Sequence, residues 1–121
     1  MKENIILIKS YKFALNVVEA YKYLVYKRKE YVLSKQFLES GTSIGANLEE
    51  SSGGQTDRDF FTKIAISYKE ARETHYWIRL IKDSGFLDLK TASDLLRDCE
   101  EIIRILTAIQ KTLRKKYFGD K

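Results

Sequence analysis

One histidine, one cysteine and two clusters of cations are the residues of this chain with chemistry to offer. His75 is the only histidine among 121 residues, so neither a histidine-based metal cluster nor a Ser-His-Asp triad can be built from one copy. It lies in Glu70-Ala-Arg-Glu73-Thr-His75, close to the Glu-x-x-His pairing by which helical bundles hold two metals. The position three before His75 is Arg72, a cation, and Glu73 is only two before it, on a different face. Pairing of Lys69 with Glu73, or of Arg72 with Tyr76, accounts better for these side chains. No metal or cofactor is expected. The single Cys99 supports no disulfide within the chain, and it falls in an apolar series where a small core residue belongs.

The cations are the stronger signal. The formal net charge is +5 and the isoelectric point about 9.2, which fits an acidic partner such as nucleic acid. Lys27, Arg28, Lys29 and Lys35, with Glu30 the one anion between Lys27 and Lys35, carry net +3. Lys111, Arg114, Lys115, Lys116 and Lys121 against Asp120 carry net +4. Such patches contact phosphates and make binding salt-sensitive. Tyr11, Tyr23, Tyr26, Tyr31 and Tyr117 lie among the cations, and aromatic rings there can stack on unpaired bases. The bland alternative is a solvated helix end, favoured by the helix dipole, with tyrosines that pack and keep a hydroxyl at the rim.

The elements that must position these groups are helices. The chain has no proline and six glycines, four of them within Gly41–Gly54. A first helix is expected from about Asn4 to Tyr26, its stripe formed by Leu7, Tyr11, Ala14, Val18, Tyr21 and Val25 and widened by Phe13, Val17, Ala20 and Leu24. Lys27-Arg28-Lys29-Glu30 follows as a charged connection. A second helix runs from about Val32 to Glu50 on Leu33, Phe37, Ile44 and Leu48. Gly41 and Gly45 lie inside it, where each costs about 1 kcal/mol relative to alanine. A tight crossing with a neighbouring helix is the compensation. The Gly-Lys-Ser/Thr ending of a phosphate-binding loop is missing, and no strand precedes.

Ser51–Gln55 is the most flexible connection. The central helix begins at a cap on Thr56 or Asp57 and ends at Gly85 in a left-handed turn, after which Phe86-Leu87 fold back on the core. Its broad apolar arc holds Phe60, Phe61, Ile64, Ala65, Tyr68, Ala71, His75, Tyr76 and Ile78. A second apolar group, Ile66, Trp77 and Leu80, falls on the opposite side among charges, where it predicts a contact with another subunit. The last helix starts near Asp88 or Thr91 and runs to about Lys116. Ala92, Leu95, Cys99, Ile102, Leu106, Ile109 and Leu113 make an uninterrupted seam of the bundle type. Residues 4–26, 32–50, 56–83 and 89–116 thus predict a single all-α domain, an antiparallel up-down-up-down four-helix bundle. No stretch reaches 18 consecutive apolar residues, so no membrane span is expected. The short apolar run Ile5–Ile8 lacks a cleavage site, and a cytoplasmic location follows as the expectation.

The stretch Leu33-Ser-Lys-Gln-Phe-Leu-Glu-Ser-Gly-Thr-Ser-Ile-Gly-Ala-Asn-Leu-Glu-Glu50, followed by Asp59-Phe-Phe-Thr-Lys-Ile-Ala-Ile-Ser-Tyr-Lys-Glu-Ala-Arg-Glu-Thr-His-Tyr-Trp-Ile-Arg-Leu80, resembles the bacterial proteins encoded in intervening sequences of 23S ribosomal RNA genes, also labelled S23 ribosomal protein. Cys99-Glu-Glu-Ile-Ile-Arg-Ile-Leu106 resembles the family's last helix. The resemblance covers roughly Leu33–Lys116, and the first helix agrees in general character. It implies an antiparallel four-helix bundle, a ring-shaped homopentamer, no enzymatic activity, and kinship with accessory proteins of diversity-generating retroelements, which act with a reverse transcriptase and nucleic acid. Gly45 stands where many members carry proline, which implies a straighter second helix. The functional expectation is a non-enzymatic homo-oligomer that binds RNA or DNA through Lys111, Arg114, Lys115 and Lys116 at one end and Lys27, Arg28, Lys29 and Lys35 at the other. The competing expectation is an adaptor that recruits a protein partner and touches no nucleic acid.

Overall fold

The computed structural model describes residues 2–53 and 56–119. Four helices follow one another: α1 (Lys2–Tyr26), α2 (Leu33–Ser52), α3 (Asp57–Asp83) and α4 (Leu89–Phe118). Each packs on its neighbours in the cyclic order α1, α2, α3, α4, with no diagonal contact among the described residues. This is the expected up-down-up-down bundle. Its upper end holds the α1–α2 and α3–α4 connections, and its lower end holds the start of α1 and the end of α4.

The helix ends follow the local chemistry. Thr56, and not Asp57, caps α3: its Oγ1 accepts from the Asp59 amide at 3.0 Å. Asp88 caps α4 by accepting from the Thr91 amide at 2.9 Å. Gly85 has φ of +83°, the left-handed turn that a residue with a Cβ adopts only at a cost, and Leu87 beyond it is buried. The charged connection after α1 does more than the sequence indicated. Lys29 takes φ of +57°, which brings the Glu30 amide back to the Leu24 carbonyl at 2.9 Å. The Glu30 carboxylate then accepts from the amides of Val32, Leu33 and Ser34 and so caps α2. Burial pulls the Glu30 carboxyl up, but the amides of Leu33, Ser34 and Val32 and the Ser34 hydroxyl outweigh it and hold the group below its ordinary value.

In the core, α4 presents the whole expected seam: Ala92, Leu95, Cys99, Ile102, Leu106, Ile109 and Leu113 are all buried. On α1 the centre of the stripe differs from the expectation. Ile6, Phe13, Val17, Ala20 and Leu24 form the buried line. Leu7, Ala14, Val18, Tyr21 and Val25 flank it half-buried, and Tyr11 is exposed. The cause lies on α2. An added Cβ at Gly41 would meet Val17 Cγ1 and Cγ2 at 2.9 Å, and one at Gly45 would meet Ser10 Oγ at 3.4 Å. Gly41 lets α1 approach closely, Gly45 lies in ordinary contact range of Ser10, and that docking selects which of two overlapping apolar lines faces inward.

The buried face of α3 shares Ile64, Ala71 and Ile78 with the expected arc but is turned away from the rest of it. It consists of Ile64, Ser67, Ala71, Thr74, Ile78 and Ile81, while Tyr76 is 49% exposed and His75 half-buried. Ser67 Oγ donates to the Ile44 carbonyl at 3.0 Å, and Thr74 Oγ1 bonds Ser40 Oγ at 2.9 Å and the Glu70 carbonyl at 2.7 Å. Hydroxyls this small satisfy themselves on nearby carbonyls and still permit a close α2–α3 crossing. Cys99 donates to the Ala71 carbonyl at 3.3 Å. Burial, with Glu100 and Asp98 adding, pushes its thiol up to about 12, so it is an inert core residue.

Candidate nucleic-acid interface

At the upper end, Arg28 is taken out of the basic cluster. Its guanidinium donates to the carbonyls of Gly85 and Phe86 at 3.0 and 2.9 Å and lies over the Phe86 ring at 5.2 Å. It clasps the two upper connections together. Lys27, Lys29 and Lys35 remain exposed, without a carboxylate partner among the described residues.

At the lower end, a run in sequence is not a patch in space. Successive residues of a helix are turned by about 100°, so Arg114, Lys115 and Lys116 diverge. Arg114 lies over the Phe61 ring of α3 at 5.9 Å, in contact range of the Phe61–Phe118 edge pair. Lys116 lies beside Tyr117 at 5.3 Å. Lys115 shares its face with Lys111 and with Arg104, one at i+7 and the other at i+11 from Arg104. These three are exposed and unpaired among the described residues, and they span about 17 Å at 1.5 Å per residue. Arg104 was not singled out in the sequence, because the carboxylates beside it, Glu100 and Glu101, mask it there. In the fold Glu101 pairs with Lys9 at 3.1 Å and Glu100 with His75 at 2.9 Å. Asp120 and Lys121 lie outside the described residues.

The arginines of α3 add to this face. Arg72 lies over the Tyr68 ring at 5.9 Å and donates to its hydroxyl at 3.2 Å. Arg79 lies over the Tyr76 ring at 5.8 Å. Arg72 thus pairs with Tyr68 and not with Tyr76, because helical side chains lean toward the N-terminus. Glu73 likewise accepts from the Trp77 indole at 3.0 Å, and no ion pair with Lys69 forms. The outer α3–α4 surface therefore gathers Arg72, Arg79, Arg104, Lys111, Arg114 and Lys115 from two helices. Between the helices an open cleft of about 620 Å³ is lined by Arg72, Glu73, His75, Arg79, Glu100 and Ile103.

The expected subunit contact is placed as follows. Ile66, Trp77 and Leu80 are half-buried, and Trp77 packs partly on the core and edge-on to Tyr76 at 5.2 Å. The larger apolar exposure is on α1, where Ile5, Ile8, Tyr11 and Leu15 are 45, 69, 64 and 52% exposed. Helical spacing puts Ile8, Tyr11 and Leu15 on one outward strip. Periodicity alone assigned Tyr11 to the core, which hid this strip. No helix among the described residues is long and apolar enough to cross a membrane.

A family model described as 23S rRNA-intervening sequence protein matches residues 2–108; the match takes in α1, for which the sequence offered only a general likeness. A crystal structure of a protein with unknown function from the S23 ribosomal protein family of Bacteroides thetaiotaomicron VPI-5482, at 1.70 Å resolution, is similar at 42% identity. Its TM-score is 0.89, and the match covers 92% of this chain and 99% of that one. Among curated proteins no match was found.

Proposed function

The chain belongs to the 23S rRNA-intervening sequence protein family, and we propose that it is a non-enzymatic, cytoplasmic, homo-oligomeric bundle that binds RNA or DNA through its phosphates. The observation that carries this reading is the line Arg104, Lys111 and Lys115 on α4. These cations are exposed and without an ion-pair partner among the described residues, while the carboxylates beside Arg104 in sequence are bonded to His75 and Lys9. Unpaired surface cations in a row neutralise phosphates and release counterions. In a closed assembly such as the pentameric ring implied by resemblance, each line is repeated once per subunit, and weak contacts add along a strand.

The test is binding of an RNA and a DNA oligonucleotide across a salt series. For single strands the slope of log affinity on log salt is about −0.7 per phosphate neutralised. Replacing Arg104, Lys111 and Lys115 together by Gln should flatten the slope by about 2 and weaken binding to all sequences alike. Absence of binding at low salt would sink the reading. The adaptor alternative draws on one observation, the exposed strip Ile8, Tyr11 and Leu15, and gains if the purified chain is monomeric and binds neither polymer.

A further inference from the structure

We propose that the α3–α4 cleft is a seat for an unpaired base, so that the protein takes single-stranded nucleic acid in preference to duplex. The inference rests on the nucleic-acid reading above and deepens it. The cleft holds about 620 Å³ and has half-buried Ile103 as its apolar part, with the His75–Glu100 pair at 2.9 Å beside it. A flat apolar base fits such a floor. The pair offers hydrogen-bonding atoms to a base edge, where sequence is read. A base inside a duplex is stacked on both faces and cannot enter.

Arg72 and Arg79 stand on the wall of this cleft, seven residues apart on α3. Their separation is about 10.5 Å along the helix, the rise of three stacked nucleotides at about 3.4 Å each. Each guanidinium is already held against a ring, Tyr68 or Tyr76, and both arginines are exposed. A guanidinium fixed in this way presents its remaining donors to a phosphate or its free face to a base, and little side-chain freedom is left to lose on binding. Toward the lower end of the bundle, the strand meets Arg104, Lys111 and Lys115, so the cleft opens onto the cationic line described above. The two carboxylates of the cleft are each hydrogen-bonded, Glu100 to His75 and Glu73 to the Trp77 indole, and their two negative charges are matched by those of Arg72 and Arg79 on the same lining.

The experiment compares the full-length protein with the variant Arg72→Lys/Arg79→Lys. This variant keeps the net charge but removes the planar, ring-stacked groups. Fluorescence anisotropy at low salt is read for a 12-nucleotide pyrimidine RNA, the DNA strand of the same sequence, and the corresponding DNA duplex. The wild type should bind the single strands about tenfold tighter than the duplex, as one stacked base provides. The lysine variant should lose that margin, its affinity for the single strands falling to about that for the duplex. A second variant, Ile103→Trp, fills the cleft without touching a charge and should do the same, with circular dichroism verifying the bundle. A wild-type margin shown by the RNA strand alone, and lost in both variants, adds the ribose hydroxyl to what is read and supports the seat. Equal affinity for strand and duplex in the wild type overturns the proposal while leaving phosphate binding intact, as does an unchanged margin in both variants. No binding of any of the three overturns the functional reading itself.

Discussion

Replacing Gly41 and Gly45 by alanine, one at a time, should move stability in opposite directions. In a helix interior the exchange of glycine for alanine is worth about 1 kcal/mol in favour of alanine. At Gly45 nothing opposes that gain, because the new Cβ would lie 3.4 Å from Ser10 Oγ and 3.6 Å from the Ser10 carbonyl group, ordinary contact distances. At Gly41 the Cβ would lie 2.9 Å from both γ-carbons of Val17, well inside the roughly 3.5–4.0 Å optimum for carbon pairs. Val17 is fully buried, and a β-branched side chain in a helix has essentially one rotamer. It cannot turn aside, so α1 must shift. Overpacking of this kind costs about 1–3 kcal/mol, which outweighs the gain and leaves Gly41→Ala about 1 kcal/mol destabilised. The two single variants should differ by about 2 kcal/mol, or about 8 °C in Tm for a domain of this size. Val17→Ala removes both offending carbons. In that background Gly41→Ala should stabilise by about 1 kcal/mol, a coupling near 2 kcal/mol, within the range seen for residues in contact. Urea unfolding of the four chains measures the cycle. Equal responses at the two glycines, or a coupling near zero, would refute the close α1–α2 crossing.

Glu30→Gln should weaken the start of α2 by about 1 kcal/mol at pH 7, as loss of a cap does. Because the folded Glu30 carboxyl is held below its ordinary 4.5, this advantage of the wild type is complete above that pH and is lost as pH falls through the folded value; urea midpoints at pH 7 and pH 3 check it. Cys99, with its thiol pushed up to about 12, should not react with a disulfide reagent at pH 8 until the bundle opens, and rapid labelling of the native protein would contradict its burial. For assembly, Ile8→Glu/Leu15→Glu and Trp77→Glu compare the α1 strip with the α3 group in light scattering. The α1 pair, far more exposed, should give the smaller species with helical content kept, and reduction by Trp77→Glu alone would put the contact on α3, as the sequence expects.

What could be read in the chain and what could not divide along a physical line. The α4 seam, the Thr56 cap, the left-handed Gly85 and the close crossing at Gly41 and Gly45 were all legible. Each depends on residues within a turn or two of one another, or on one unbroken apolar period. The inward line of α1 was not legible, because two apolar lines overlap on that helix and only docking on Gly41 and Gly45 chooses between them. On α3 the buried face was legible only in Ile64, Ala71 and Ile78, because hydropathy counts Ser67 and Thr74 as polar, although each finds an acceptor on or across its helix. Charge was the least legible. Whether a cation is available to a partner depends on which carboxylate another helix brings to it or takes away. Arg28 looked free and is bound to the upper connections, while Arg104, which follows two glutamates in sequence, has no ion-pair partner among the described residues, since Glu100 and Glu101 are claimed by His75 of α3 and Lys9 of α1. Local sequence sets where helices start, stop and carry apolar surface; the partners of long charged side chains are set across helices, and so only the tertiary structure decides them.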